Sequence, residues 1–314
     1  MSCANSSGGL GAMARTAAAE PARRRPLPDW GAAMVLLAPM ALFFGVSVLY
    51  PLADTVRLSF HELRGLGGAS WVGLGNYAAL AQDPVFLATL WRTLAFTLSV
   101  TAISVGIGWT VGLLCAFAPR QTAPFRLMIF ATFGISEAVS GFIWIGIFRP
   151  DSSGLLNGLL GLAGLGELAQ PWLGSPGTAM AALIAAASWS AVGLPLLLTF
   201  AAVQTIPKSV LEAAYIDGAK PLATMWHIMM PLSLPGVRVA VFINLVTALR
   251  AFDIIFVLTG GGPARSTETV GFFMYRVSMT EFNLGYGAAT TVVLLLAVMA
   301  VSLPAVIQRT KGAR

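Results

Sequence analysis

Apolar residues dominate this chain in six long runs, and the stretches between the runs are rich in polar residues, glycine and proline. The runs cover about residues 31–52, 91–117, 125–148, 177–204, 236–258 and 285–308. Each holds roughly 20 or more mostly apolar residues, the length at which an α-helix crosses the hydrocarbon core of a bilayer. The pattern therefore predicts an all-α fold, a polytopic transmembrane bundle of about six helical spans.

The stretches outside these runs are of three kinds. Residues 1–29 are rich in Ala, Gly, Ser, Pro and Arg, which predicts a disordered cytoplasmic tail, with Met13 as an alternative start. A transmembrane domain over 30–308 and a short cytoplasmic tail over 309–314 follow. The first apolar run has no obvious signal-peptide cleavage site, so we expect it to remain as an uncleaved helix. The apolar, glycine-rich stretch 155–168 is too short to span and predicts an interfacial helix or a loop.

Composition places the whole chain in a membrane. Hydrophobic residues make up 57% of it, charged residues 10%, and the mean hydropathy is +0.79, values that exclude an ordinary water-soluble domain. The net charge of +6 does not indicate nucleic-acid binding, because the basic residues are scattered at the edges of apolar runs without interleaved aromatic residues.

Lysine and arginine predict the orientation of the spans. The two tails and the connections 118–126 and 205–238 carry twelve of these residues, and the opposite connections carry six. Positively charged loops remain on the cytoplasmic side. We therefore expect both termini and the connection after the fourth run to be cytoplasmic.

That cytoplasmic connection, residues 205–235, is patterned as a helix pair. Leu211, Ala214 and Gly218 fall at helical spacing, and a second apolar series with the same period follows Gly218. The segment is too polar and too interrupted by proline to be expected to cross a bilayer. Its apolar stripe is suited to lie in a groove on another protein.

Several residues of this segment stand at the spacing of a known motif. They are Glu212, Ala213, Ala214, Asp217, Gly218, Ala219, Ile228 and Pro231. Their arrangement resembles the EAA loop of the membrane subunits of ATP-binding-cassette importers, which implies that the segment docks on an ATPase subunit. Two local alternatives remain: Ser209 and Glu212 fit an S-x-x-E capping box, and Gly218 fits a helix C-cap.

A second resemblance lies on the opposite side of the membrane. The sequence LTGGGPARSTETV, from Leu258 to Val270, is similar to the GGP-x-x-x-T segment of the first membrane subunit of maltose-type carbohydrate importers, and the run VGLGNY at Val72 agrees with it. This resemblance implies several partners: a second homologous permease, two cytoplasmic ATPase subunits, an extracytoplasmic solute-binding protein, membrane lipid and a carbohydrate substrate. The alternatives are import of a phosphorylated polyol or glycerophosphodiester, and a secondary transporter that needs no ATPase.

Motifs for enzyme chemistry are absent from the sequence. There is no G-x-x-x-x-G-K-[ST] loop for phosphate binding and no G-x-S-x-G nucleophile elbow, so ATP hydrolysis is expected on separate chains. His61 and His227 lack metal-ligand spacing, and Cys3 and Cys115 cannot make a disulfide framework. We expect neither a cofactor nor a metal site.

Ionisable residues inside the apolar runs are candidates for the substrate path, because an unpaired charge there is costly. Glu137 lies in the third run, and Trp144, two turns further on, offers an aromatic ring for a sugar. Arg250 and Asp253 lie in the fifth run, three residues apart, and are expected to form a local ion pair. For Glu137 the alternative is a hydrogen bond to the second permease.

Overall fold

The computed structural model of the protein describes residues 30–65 and 67–312. The predicted tail over 1–29 lies outside the described residues. Fifteen α-helices are found in the described part: α1 Trp30–Phe44, α2 Tyr50–Leu58, α3 Gly75–Gln82, α4 Pro84–Phe117, α5 Ala123–Gly134, α6 Glu137–Ile147, α7 Leu155–Leu162, α8 Ala179–Ala191, α9 Gly193–Gln204, α10 Lys208–Ile216, α11 Pro221–Thr224, α12 Met230–Leu249, α13 Asp253–Leu258, α14 Val270–Tyr275 and α15 Leu284–Gly312.

Shorter elements complete the described chain. A 3₁₀ turn covers Gly166–Leu168, and three π-helical turns cover Gly45–Leu49, Met225–Met229 and Arg276–Thr280. A two-residue antiparallel hairpin pairs β1, His61–Glu62, with β2, Ser70–Trp71, in the register His61 to Trp71. The hairpin is the one sheet in the described part, so the all-α prediction is confirmed in substance.

The chain divides into two compact units between Pro51 and Leu52. The described part of the first unit consists of α1, the π-helical turn that follows it and the start of α2. All the remaining described elements belong to the second unit, which holds residues 205–235 and the cavity described below.

Four described helices are long and apolar enough to cross a membrane: Ala33–Leu58, Pro84–Phe117, Pro221–Leu249 and Leu284–Leu303. Two further spans are broken, since α5 and α6 meet at 106° and α8 and α9 at 41°. Counting each bent pair as one span gives six, in agreement with the six apolar runs. The break in the third span, at Ile135 and Ser136, was not predicted.

The fifth span differs from its prediction at both ends. It was expected over 236–258, but the continuous helix begins at Pro221 and ends at Leu249, and α13 is a separate helix. The prolines between 221 and 235 do not interrupt this helix. Pro231 and Pro235 lie inside the helix, and the π-helical turn directly before them adjusts the hydrogen bonding that proline interrupts.

The core of the second unit forms where α4 packs against α8, α9 and α12. Gly108 and Gly112 of α4 allow this close approach. A Cβ atom at Gly108 would lie 2.8 Å from the backbone nitrogen of Leu196, and one at Gly112 would lie 2.9 Å from the carbonyl oxygen of the same residue. Small residues at such positions let the backbones of transmembrane helices touch.

Candidate functional site: coupling segment and cavity

The helix pair predicted for residues 205–235, here called the coupling segment, is present. Helix α10 ends in a Schellman motif, in which the Ala219 amide donates to the Ala214 carbonyl at 2.9 Å and the Gly218 amide donates to the Tyr215 carbonyl at 3.0 Å. Gly218 has a φ of +74°, in the left-handed region that glycine adopts without cost. The role of Gly218 as a helix C-cap is therefore confirmed.

The alternative role of Glu212, in a capping box with Ser209, is wrong. Pro207 is the N-cap of α10, so Ser209 already lies inside the helix, and no side chain makes a cap hydrogen bond. Glu212 is exposed in the described structure. Its carboxylate is thus free to contact another protein.

One face of the coupling segment is anchored in the core. Met225 and Met229 are buried with Leu113 of α4 and with Val203 and Ile206 at the end of α9. Because both helices of the segment contribute, through Leu211 and the two methionines, the segment is held against the transmembrane helices by packing. A displacement of the segment must therefore move these helices.

The other face of the coupling segment is apolar and is not covered by any other described part of the chain. Tyr215 is 83% exposed, Ile216 82%, Leu222 63% and Trp226 54%. Tyr215 and Ile216 also line a shallow groove with Lys208, Leu211 and Glu212. Exposed apolar surface of this extent, rimmed by charged residues, is typical of a protein interface.

The residues of the EAA-like motif divide between these two faces. Ala214 is buried, Ala219 and Ile228 are half-buried, and the exposed members are Glu212, Ala213, Asp217, Gly218 and Pro231. Pro231 lies in α12, beyond the π-helical turn. The motif thus combines exposed residues with residues that pack towards the transmembrane helices.

A small cavity of about 100 Å³ lies next to the break in the third span. Its polar lining consists of Glu137 on α6, Ser190 on α8, and Asn244 and Thr247 on α12, and the rest is apolar. Glu137 is the first residue of α6, so the 106° bend is what carries its carboxylate to the cavity. The sequence did not identify Ser190, Asn244 or Thr247.

Asn244 is held in place from the opposite side. Its Oδ1 accepts a 3.0 Å hydrogen bond from Ser104 of α4, and its Nδ2 donates to the Ala240 carbonyl at 3.0 Å. Each amide atom retains capacity for a further bond, because the oxygen has two lone pairs and the nitrogen two hydrogens. The residue therefore presents an oriented hydrogen-bonding group at the cavity wall.

Trp144 does not line this cavity, which corrects its assignment to the substrate path. Its ring packs 5.0 Å from that of Phe148 and edge-on, at 6.0 Å, to that of Trp189. Trp144 does follow Glu137 by two turns of α6, but the neighbouring aromatic residues cover the Trp144 ring.

The predicted ion pair between Arg250 and Asp253 is also absent from the described residues. Arg250 terminates α12 and Asp253 begins α13, so the two residues do not share a helix face. Both are exposed. Each is adjacent in sequence to a residue of the cavity lining, Ala251 or Ile254, although the expected local pairing was wrong.

The GGP segment is a rigid loop. Thr267 is fully buried, and its hydroxyl oxygen lies 2.8 Å from Thr259 Oγ1 and 2.7 Å from the Gly262 carbonyl oxygen. The next residue, Glu268, is 1% exposed and pairs with Arg276 Nε at 2.6 Å. The threonine and the glutamate therefore hold the loop in shape, and neither reaches the cavity.

Both histidines bond locally. His61 Nδ1 lies 2.8 Å from the Arg57 carbonyl, and His227 Nδ1 lies 3.0 Å from the Ala223 carbonyl. Among the residues that the structure describes, no group of three His, Cys, Asp or Glu side chains is arranged to hold a metal ion.

Comparisons with known proteins agree with this architecture. The family described as binding-protein-dependent transport system inner membrane component matches residues 106–311. The sulfoquinovosyl glycerol transport system permease protein SmoG of Agrobacterium fabrum is 33% identical over 272 residues, or 86% of this chain and 87% of that protein. The sn-glycerol-3-phosphate transport system permease protein UgpA of the same organism is 31% identical over 270 residues, or 85% and 91%.

Solved structures share the fold. A chain in the crystal structure of a bacterial alginate ABC transporter, in complex with its pentasaccharide-bound periplasmic protein, superposes with a TM-score of 0.73 at 18% identity, covering 88% of this chain and 92% of that one. A chain of the MetNI methionine ABC transporter gives 0.51 at 18% identity, covering 70% and 92%.

These matches confirm the expectation of a multi-pass membrane protein that serves transport and is not an enzyme. The chain belongs to the family of binding-protein-dependent transport system inner membrane components.

Proposed function

We propose that this chain is the first permease subunit of an ATP-driven importer of a carbohydrate or a polyol derivative. It forms the translocation pathway with a second, homologous permease. Two cytoplasmic ATPase subunits drive the importer, one of them docked on the coupling segment of this chain, and an extracytoplasmic solute-binding protein delivers the substrate. The relatives named above support this substrate class, since sulfoquinovosyl glycerol and sn-glycerol-3-phosphate both carry several hydroxyl groups.

The observation that carries the proposal is one continuous helix. It runs from Pro221 to Leu249, so it begins in the coupling segment and ends beside the cavity. Trp226 lies on its exposed end, whereas Asn244 and Thr247 line the cavity at the other. A force applied to the exposed end therefore reaches the cavity along one continuous helical segment, which includes the π-helical turn Met225–Met229.

This arrangement gives a mechanism for coupling. ATP binding brings the two ATPase subunits together and moves the docked coupling segment with them. Because Met225 and Met229 are packed against α4 and α9, the segment cannot move alone, and the packed helices rotate as a body. The cavity then opens alternately to the two sides of the membrane.

The cavity residues suit a polyhydroxylated solute. The Glu137 carboxylate accepts hydrogen bonds from sugar hydroxyls, and Asn244 both accepts and donates. Binding pockets for small molecules are mostly apolar with a few placed polar groups, as this cavity is.

An anionic polyol is the second candidate, and one observation favours it. Arg250 is exposed at the end of α12, between the cavity-lining residues Ala248 and Ala251, so a cation is available near the cavity for a phosphate or sulfonate group. Neutral sugars need no such residue.

We also propose that both termini and the coupling segment are cytoplasmic. Twelve of the 19 lysine and arginine residues support this orientation by their positions in the sequence. The orientation puts the GGP segment and α7 on the outer side.

The experiment is a substrate-stimulated ATPase assay on the complex purified through this chain and reconstituted in nanodiscs with its solute-binding protein. The panel contains neutral oligosaccharides, glycerol glycosides and sn-glycerol-3-phosphate. We expect hydrolysis to rise with one class of solute and only in the presence of the binding protein. Transport by this chain in vesicles that lack any ATPase would overturn the proposal.

A further inference from the structure

Helix α7 carries an exposed leucine face that the proposed function does not use. Leu155, Leu159 and Leu162 are 57%, 55% and 88% exposed. Their spacing of four and three residues puts them on one side of the helix. Leu165 and Leu168 continue the apolar surface, at 49% and 56% exposed.

The opposite side of α7 is fixed to the rest of the loop by one buried amide. Asn157 is 4% exposed, and its Nδ2 lies within hydrogen-bond distance of the carbonyls of Arg149, Pro150 and Gln170. Its Oδ1 accepts a 2.7 Å hydrogen bond from Trp172 Nε1. Because these bonds set the rotation of α7 about its axis, the leucine face is held outward.

The composition of the segment decides which partner suits this face. No charged residue occurs on α7 itself, and the nearest ones along the chain are Asp151 before the helix and Glu167 after it, whereas an interface between soluble proteins is surrounded by a polar rim. The one strongly polar side chain of the helix, Asn157, is already satisfied on the buried side. The exposed face is therefore suited to hydrocarbon.

The position of α7 brings lipid within reach. It lies in the connection between α6, which ends at Ile147, and α8, which begins at Ala179, and both of these helices belong to candidate spans. With eight residues, α7 is about 12 Å long and cannot cross the bilayer. A short helix tied to two spans and apolar on one face lies at the membrane surface.

We propose that α7 is embedded in the membrane–water interface, with Leu155, Leu159 and Leu162 among the lipid acyl chains. Helix α7 contacts α6, which carries Glu137 at its first residue. Immersion of α7 in lipid thus anchors the end of α6 that lies opposite Glu137, the residue of α6 that lines the cavity. The inference requires only that the spans cross a bilayer, and it is independent of the substrate and of the direction of transport.

The test uses the full chain, purified with its associated subunits, after replacement of its own cysteines by Cys3→Ser and Cys115→Ser. Leu159→Cys and, separately, Leu162→Cys are labelled with the environment-sensitive fluorophore NBD and placed in nanodiscs of phosphatidylcholine. We expect blue-shifted emission that is quenched when the acyl chains are brominated. Ser152→Cys is the matched control, since Ser152 is exposed in the same connection before the helix begins, and its label should emit as in water and resist quenching.

Two outcomes would overturn the proposal. Labels at 159 and 162 that behave like the label at 152 would place the leucine face in water. A blue shift that requires added solute-binding protein, without quenching by brominated lipid, would assign the face to a protein partner. Using two leucine positions keeps the test decisive if one labelled variant is not recovered as an assembled complex.

Discussion

The hydroxyl of Ser104 donates a 3.0 Å hydrogen bond to the side-chain oxygen of Asn244, a residue 140 positions further along the chain. Ser104 is completely buried, and Asn244 is 5% exposed at the wall of the cavity. The bond joins α4 to α12, the helix that continues into the coupling segment. It thereby fixes the amide of Asn244 relative to the other side of the cavity.

We predict that Ser104→Ala weakens substrate recognition. Interhelical hydrogen bonds in membranes contribute about 0.6 kcal/mol on average and at most about 1.7 kcal/mol. Loss of that amount in the substrate complex corresponds to a rise of about threefold, and at most about 18-fold, in the substrate concentration that half-saturates ATPase stimulation. The measurement is a substrate titration of the reconstituted complex.

Ser233→Ala is the matched control for this prediction. It removes the 2.9 Å hydrogen bond between Ser233 and Trp109, which joins the same two helices but does not line the cavity. We expect a comparable loss of stability with an unchanged half-saturating concentration. Equal effects of the two variants on substrate affinity would show that the Ser104 bond acts only on packing.

The coupling segment is tested by Glu212→Lys. Glu212 is exposed and makes no cap contact, so charge reversal should leave the free energy of unfolding nearly unchanged while it abolishes transport and weakens retention of the ATPase. Ser209→Ala is the control, and since the capping box is absent it should be silent in both assays. Normal transport by Glu212→Lys would remove this residue from the docking surface.

Gly218→Val tests the turn between the two helices of the coupling segment. A side chain at a φ of +74° costs about 1–2 kcal/mol, because the Cβ atom approaches the following carbonyl oxygen. We expect a small decrease in thermal stability together with loss of coupling, since the second helix is displaced from the docking position. Thermal unfolding and ATPase co-purification measure the two effects separately.

The orientation is tested with cysteines in a background free of native cysteines. Positions Ser153 and Arg265 are exposed and should react with an impermeant maleimide added outside intact cells, whereas position Ser209 should react only after permeabilisation. On the same loop we choose Arg265 for the cysteine and not the neighbouring Ser266, because the Ser266 hydroxyl is buried. Labelling of position 209 in intact cells would reverse the orientation and separate the coupling segment from any cytoplasmic ATPase.

Glu137→Gln tests the cavity. The substitution keeps the shape of the side chain, removes its charge and changes one acceptor into a donor. We expect altered transport affinity or altered preference among neutral and anionic solutes, with assembly and basal ATPase activity retained. Glu167→Gln, on the exposed 3₁₀ turn after α7, is the control and should change neither the transport affinity nor the preference among solutes. Loss of assembly in Glu137→Gln alone would assign this carboxylate to the second permease.

The sequence was sufficient for features that depend on local periodicity. The helix pair of the coupling segment follows from the 3.6-residue spacing around Leu211 and Ala214, and its turn follows from the conformational freedom of Gly218. The capping box failed for an equally local reason, because Pro207 starts α10 before Ser209 can act as its cap.

Features that depend on tertiary contacts could not be predicted from local periodicity. Hydropathy averaged over a span does not detect the two-residue break before Glu137, and that break determines where the carboxylate lies. A single polar residue in an apolar run, such as Asn244, has the same sequence signal whether it packs between helices or faces a cavity. Its hydrogen bond to Ser104 and its place in the cavity wall distinguish the two.

The unbroken helix from Pro221 to Leu249 has a consequence for the size of the motion that transport requires. Met229 is packed in the core and Asn244 follows it by 15 residues, a lever arm of about 22 Å. A tilt of only about 5° around Met229 displaces Asn244 by about 2 Å, more than a hydrogen bond tolerates. Angular amplification along this helix therefore allows a small movement of the docked surface to release a bound solute.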